Sequence, residues 1–289
     1  MAKQKFNGKN KGIVRDYKAS VKGKIVKSAL VVPSKEAKCV KAGLDTGLYT
    51  KNTSFCALEK EDFIEKIKNK FRQFGVKKYN VERSKLENLV LGEWVGSKWI
   101  QKNASFDFVD LDLCTQLTFK TIDWIESQLR MSLANDATVC FTFCSNGRQP
   151  GTRVKGQGRH SKVSNEKHFI KAMGIENKQD LIKQIITAPG LGGCNLLSKI
   201  DTTKKWTKTK MWNRCLVYVE AVLACLYDYN IKIECCFQYN DSTPMLYVEL
   251  KCKKSAKIDR ERQKKFEALS EYSKRVFPDK VKKTKKTKK

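Results

Sequence analysis

Histidine is nearly absent from this chain, which has only His160 and His168 in 289 residues. Cysteine reaches 11, yet no Cys-x-x-Cys occurs, which argues against a structural zinc site. Acids are scarce, with 30 Asp and Glu against 59 Lys and Arg. No apolar run is long enough to span a membrane. The basic start "MAKQKFNGKNKG" lacks the apolar segment that a secretory signal needs. Thiols in "ATVCFTFC" and "IECCFQY" sit in apolar runs, where cysteine acts as a small hydrophobe. These absences point to an intracellular protein of a reducing compartment, cytoplasm or nucleus.

What the chain has in excess is positive charge, a formal net of +29. Such an excess implies an acidic polymer as partner, DNA or RNA, or an anionic membrane surface. The plain alternative is a Lys-rich bias with no specific ligand. The basic tail has no apolar anchoring face, so a membrane partner is not expected.

The charge is concentrated at the ends. Residues 1–24 read as a basic flexible arm, disordered or loosely docked. Residues 254–289 read as a basic helix and tail, and from Lys251 onward 17 bases face 5 acids. Between them, residues 25–253 alternate strand and helix. Strands are expected at 27–34, 53–60, 77–84, 105–112 and 137–144. Helices are expected at 35–47, with Ser34 as cap and Gly47 as stop, at 61–75 and at 117–133. The second of these puts Phe63, Ile64, Ile67, Phe71 and Phe74 on one stripe. Residues 145–210 read as an insertion. A long helix at 212–229 and a hairpin of 231–239 with 245–253 close the domain. The expected fold is α/β, a mostly parallel Rossmann-like sheet closed by an antiparallel C-terminal hairpin, with basic disordered termini.

Five strand–helix units followed by a helix and a closing hairpin resemble class I S-adenosylmethionine-dependent methyltransferases. In that family the hairpin supplies strands six and seven, and an acid closing the second strand holds the cofactor ribose. In "FCALEKE" the matching residue is Glu59, with Glu61 close behind. The fourth-strand stretch "DLDLC" is similar to the Asp-x-Asp-Pro-Phe of tRNA guanine-N2 methyltransferases and to the acid-led motifs of base-modifying members. Asp110 and Asp112 match its acids, while Leu113 and Cys114 replace its proline and aromatic ring. The family's glycine-rich turn after the first strand lets the backbone approach the cofactor closely. Here that turn reads "VVPSKEAKC", with Pro33, Ser34, Lys35 and Glu36 in its place. The resemblance implies S-adenosylmethionine as cofactor, Asp110 and Asp112 as the catalytic pair, and Pro33, Ser34, Glu59 and Glu61 around the cofactor.

Each candidate has a plainer reading. One of Asp110 and Asp112 could cap the following helix while the other pairs with a lysine. Glu59 could serve solubility, and Ser34 could simply cap a helix. For nucleic acid, "SNGRQPGTRVKGQGRHSK" offers Arg148, Arg153, Lys155, Arg159 and Lys162 among glycines, without an acid. Such a loop suits phosphate contacts. In "KKWTKTKMWNR", Trp206 and Trp212 either stack on bases or pack at the start of the long helix. Two functions follow from these features. One is methyl transfer to DNA or RNA. The other is a catalytically degenerate basic module of a replication, transcription or ribonucleoprotein assembly.

Overall fold

The structure, a computed structural model, describes Gly12, Val14, Arg15, Lys18 and residues 25–59, 63–95, 98–100, 104–113, 117–144, 165–176, 210–240 and 244–276. The apolar run at 28–31 forms β1 (Ser28–Val31), and the chain returns through α1 (Lys38–Asp45). β2 (Ser54–Glu59), α2 (Ile64–Gln73) and β3 (Lys78–Arg83) repeat the unit. The expected stripe is present: Ile67 and Phe71 are fully buried, and Phe63, Ile64 and Phe74 pack beside them. Gly47 at φ 78° and Gly75 at φ 73° provide the left-handed residues that end α1 and α2.

A separate two-stranded ribbon, β4 (Glu93–Val95) with β5 (Lys98–Ile100), precedes the fourth parallel strand, β6 (Phe106–Asp112). Then come α3 (Phe119–Trp124) and β7 (Leu133–Cys144). The single helix expected at 117–133 is three pieces. Thr118 caps α3 by accepting from the Thr121 amide at 3.1 Å. A π turn at Ile125–Leu129 and a 3-10 turn at Arg130–Ser132 follow, and they keep Ile122, Ile125 and Leu129 all inward. β7 also starts earlier than its apolar run, because Leu133 pairs with Phe106 of β6 across a register shift and pairing with the hairpin reaches Asp136.

α4 (Asn165–Ala172) and α5 (Lys210–Cys225) lead to the hairpin β8 (Tyr229–Asn240) and β9 (Pro244–Lys254), and α6 (Arg260–Val276) follows. The sheet has the order β3-β2-β1-β6-β7-β9-β8. The five strands from β3 to β7 are parallel, and β9 runs antiparallel to both β7 and β8. This is the strand–helix order and closing hairpin that the methyltransferase resemblance implies.

Each sheet face buries a core. One holds Leu30, Val109, Leu111 and Phe141 under α3, α4, α5 and α6, with Trp124 donating its indole N–H to Leu89 O at 2.8 Å. The other holds Val31, Phe55, Ala57 and Phe108 under α1 and α2. In it, Tyr49 meets Phe55 and Phe108 edge-on at 5.0 and 5.8 Å. Val14 belongs to this second core, so part of the basic arm is packed on the sheet. Among the described residues no helix is long and apolar enough to cross a membrane.

Candidate functional site at the carboxyl edge of the sheet

Parallel strands in register place paired residues on one face, so rows across the sheet can be read from the pairing. Ala57, Val31, Asp110, Cys140 and Glu249 form one row across β2, β1, β6, β7 and β9. Two residues further along each parallel strand lie Glu59, Pro33, Asp112 and Thr142. The ladder continues that far, since the Val32 amide donates to Asp110 O at 3.0 Å and Asp112 is paired with Thr142. The carboxyl edge of three adjacent strands therefore collects Pro33, Glu59, Asp110 and Asp112, with Ser34 exposed just beyond. Open α/β sheets bind their ligands at this edge.

The two aspartates differ in environment. Asp112, the last residue of β6, is half-buried. Asp110 is buried at 5% exposure. Lys18, from the N-terminal arm, donates to Asp110 Oδ1 at 2.6 Å and to Thr142 Oγ1 at 3.3 Å. Its ammonium also lies 5.2 Å from the centre of the Tyr247 ring. Burial opposes the charge on Lys18, but the attraction of Asp110 and then Asp112 outweighs it and holds the ammonium above its ordinary value. Neither acid is the cap of α3, a role that Thr118 fills.

Sequence reasoning missed Lys18. The available signal was the spacing of Val14 and Lys18, four apart on one helical face, and both are buried. Beneath Lys18 a polar cluster continues across the same face. Tyr247 donates to Glu249 Oε2 at 3.2 Å and lies 3.3 Å from Cys140 Sγ, and Lys251 donates to Thr138 Oγ1 at 2.8 Å. Burial pushes the Glu249 carboxyl up, despite the hydrogen bond from Tyr247 and the nearby Lys251 charge. Burial and then Asp110 push the half-buried Cys39 thiol up to about 12, which places that thiol in the field of the same edge.

The turn after β1 differs from its expected form. Ser34 does not cap α1 with its side chain. The chain first closes a turn in which the Ala37 amide donates to Ser34 O at 2.7 Å, and Ala37 then holds the cap position. Ala37 is left-handed, at φ 46° and ψ 37°, a state that glycine adopts far more readily.

Glu61, Arg148, Arg153, Lys155, Arg159, Lys162 and Trp206 lie outside the described residues. Trp212 falls in the first turns of α5, at residues of which only the backbone is described.

No protein-family model matches the chain, and no curated protein matches its sequence. Among solved structures, a putative methyltransferase from Escherichia coli is similar at 8% identity and a TM-score of 0.41, covering 85% of each chain. An O-methyltransferase from Bacillus cereus in complex with SAH is similar at 10% identity and a TM-score of 0.42, covering 86% of this chain and 82% of that one. The mitomycin 7-O-methyltransferase MmcR is similar at 8% identity and a TM-score of 0.41 over 83% of this chain, which spans 54% of that longer protein. The strand order and closing hairpin of the sheet itself give this chain a divergent, class I methyltransferase-like α/β fold.

Proposed function

We propose that this protein binds nucleic acid and holds S-adenosylmethionine along the carboxyl edge of its sheet for methyl transfer to DNA or RNA. The observation that carries the reading is the convergence of Ser34, Glu59 and Asp112 at the ends of β1, β2 and β6. The donor set suits the cofactor. Glu59 would accept from the ribose hydroxyls, and the left-handed Ala37 keeps, at one position, a backbone state expected of the missing glycines. When bound, the cofactor supplies a methyl group already activated on a sulfonium. The chain's own work is then orientation more than proton removal. Asp112 would accept a hydrogen bond from the amine or hydroxyl to be methylated. Asp110, paired with Lys18 in this structure, would be the second acid of the edge, beside Asp112. The net charge of +29 supports a polyanionic substrate. Cys56, Cys140, Cys225 and Cys252, buried as thiols, support a reducing compartment.

A second reading is favoured by one contact. The pairing of Asp110 with Lys18 takes up an acid that the resemblance makes catalytic, as expected of a module that has lost its chemistry. Thermal melts of wild type and Asp112→Ala, with and without S-adenosylmethionine, separate the two. The methyl-transfer reading expects a rise of several degrees in wild type that is smaller in the variant, with oligonucleotide binding unchanged between them. Calorimetry showing no cofactor binding to a wild type that still binds oligonucleotides would leave the degenerate module.

A further inference from the structure

The N-terminal arm brings both charge and a fastening. Residues 1–24 hold eight bases and one acid. One of those bases, Lys18, is 7% exposed and bound to Asp110 at the candidate edge. It also meets the Thr142 hydroxyl and the Tyr247 ring, one on β7 and one on β9. Four residues before it, Val14 is 2% exposed in the core of that face. The arm is thus pinned to the sheet by an apolar residue and an ion pair, and the ion pair occupies one of the two edge acids.

We propose that the Lys18–Asp110 pair is a latch that nucleic acid opens. This rests on the nucleic-acid reading above. In the latched state Val14 and Lys18 lie against the sheet, and the chain's own amine engages the Asp110 carboxylate. A polyanion competes for the arm's cations, Lys18 among them, and draws the arm off the sheet. Asp110 is then uncovered beside Asp112 when substrate is present, and stays covered when it is absent. Part of the binding free energy is spent on opening. The affinity of wild type is therefore reduced by the fraction of molecules that are open.

That linkage gives a prediction of unusual sign. Lys18→Met removes a positive charge, which by itself weakens phosphate binding. It also removes the latch. Binding of the full chain to a random single-stranded oligonucleotide at low salt is measured for wild type, Lys18→Met, Asp110→Asn and the double variant. Asp45→Asn, an exposed acid paired with Lys41, controls for a change of one charge. The latch expects Lys18→Met to bind about threefold or more tighter than wild type. Asp110→Asn should gain more than Asp45→Asn, and the double variant should gain no more than the larger single effect. The double variant leaves no buried charge unpaired, so it remains decisive if Lys18→Met fails to fold. Hydrogen exchange over residues 12–18 should quicken in each latch variant and in wild type on adding oligonucleotide. If wild type binds but Lys18→Met and the double variant bind equally or more weakly, the latch is overturned and the nucleic-acid reading stands. If wild type binds no oligonucleotide, the nucleic-acid reading falls and the latch falls with it.

Discussion

Glu249 shows how far a single residue's charge state can depend on its place in the sheet. It is 2% exposed, in the same register row as Asp110 and Cys140, with Tyr247 donating to it. Burial raises its folded-state pKa above the unfolded value. A raised acid contributes stability that is fully present below the unfolded pKa and is lost as pH rises through the folded one. Going from pH 5 to pH 7.5 should therefore cost the wild type more stability than it costs Glu249→Gln. The variant should be the more stable of the two at neutral pH, because it no longer buries a charge but still accepts from Tyr247. Chemical denaturation of both proteins at the two pH values checks this. A Gln variant that tracks the wild type at both would place the titration elsewhere.

At the scale of elements, α1 illustrates what packing adds to propensity. Gly43 faces Tyr49, and a Cβ at that position would collide with the Tyr49 ring. The ring cannot retreat easily, since Phe55 and Phe108 hold it edge-on in a filled core. Gly43→Ala improves helix propensity by up to ~1 kcal/mol, yet it should destabilise the protein by about 1–3 kcal/mol, because overpacking outweighs propensity. A melt of that variant beside Ala42→Gly, on the same helix, tests the sign. Elements whose pattern is local were legible: β2, β6, the stripe of α2 and both strands of the hairpin fall where their periodicity put them. α3 was not, because its break into π and 3-10 turns answers to the core beneath it. Ser34 as a cap also failed. A cap depends on where the helix begins, and the turn ending at Ala37 moved that start by several residues.

For the whole molecule, charge is the dominant property. The stretch 278–289 carries seven lysines and one acid. Deleting it should leave the melting temperature unchanged, weaken binding to a random oligonucleotide, and flatten the dependence of log affinity on log salt. Filter binding over a salt series measures all but the melt. A truncated chain with the same slope as the full one would show that the tail contacts no phosphate.

The order of strands and helices, the closing hairpin and the net charge were fixed locally, by periodicity, turn residues and composition, and so could be read from the chain alone. Even the placing of Glu59 and Asp112 at strand ends was local. Which acids would be neutralised was not. Lys18 and Asp110 are 92 residues apart in sequence. Nothing in the neighbourhood of either marks the other, because an ion pair between distant segments exists only once the sheet has formed and Lys18 has reached its edge. The burial of Glu249 has the same origin, in a face that β6, β7 and β9 complete together. Tertiary structure therefore decided the electrostatics of the edge, since burial and pairing, which set the charge state of a carboxyl group, are properties of the assembled sheet.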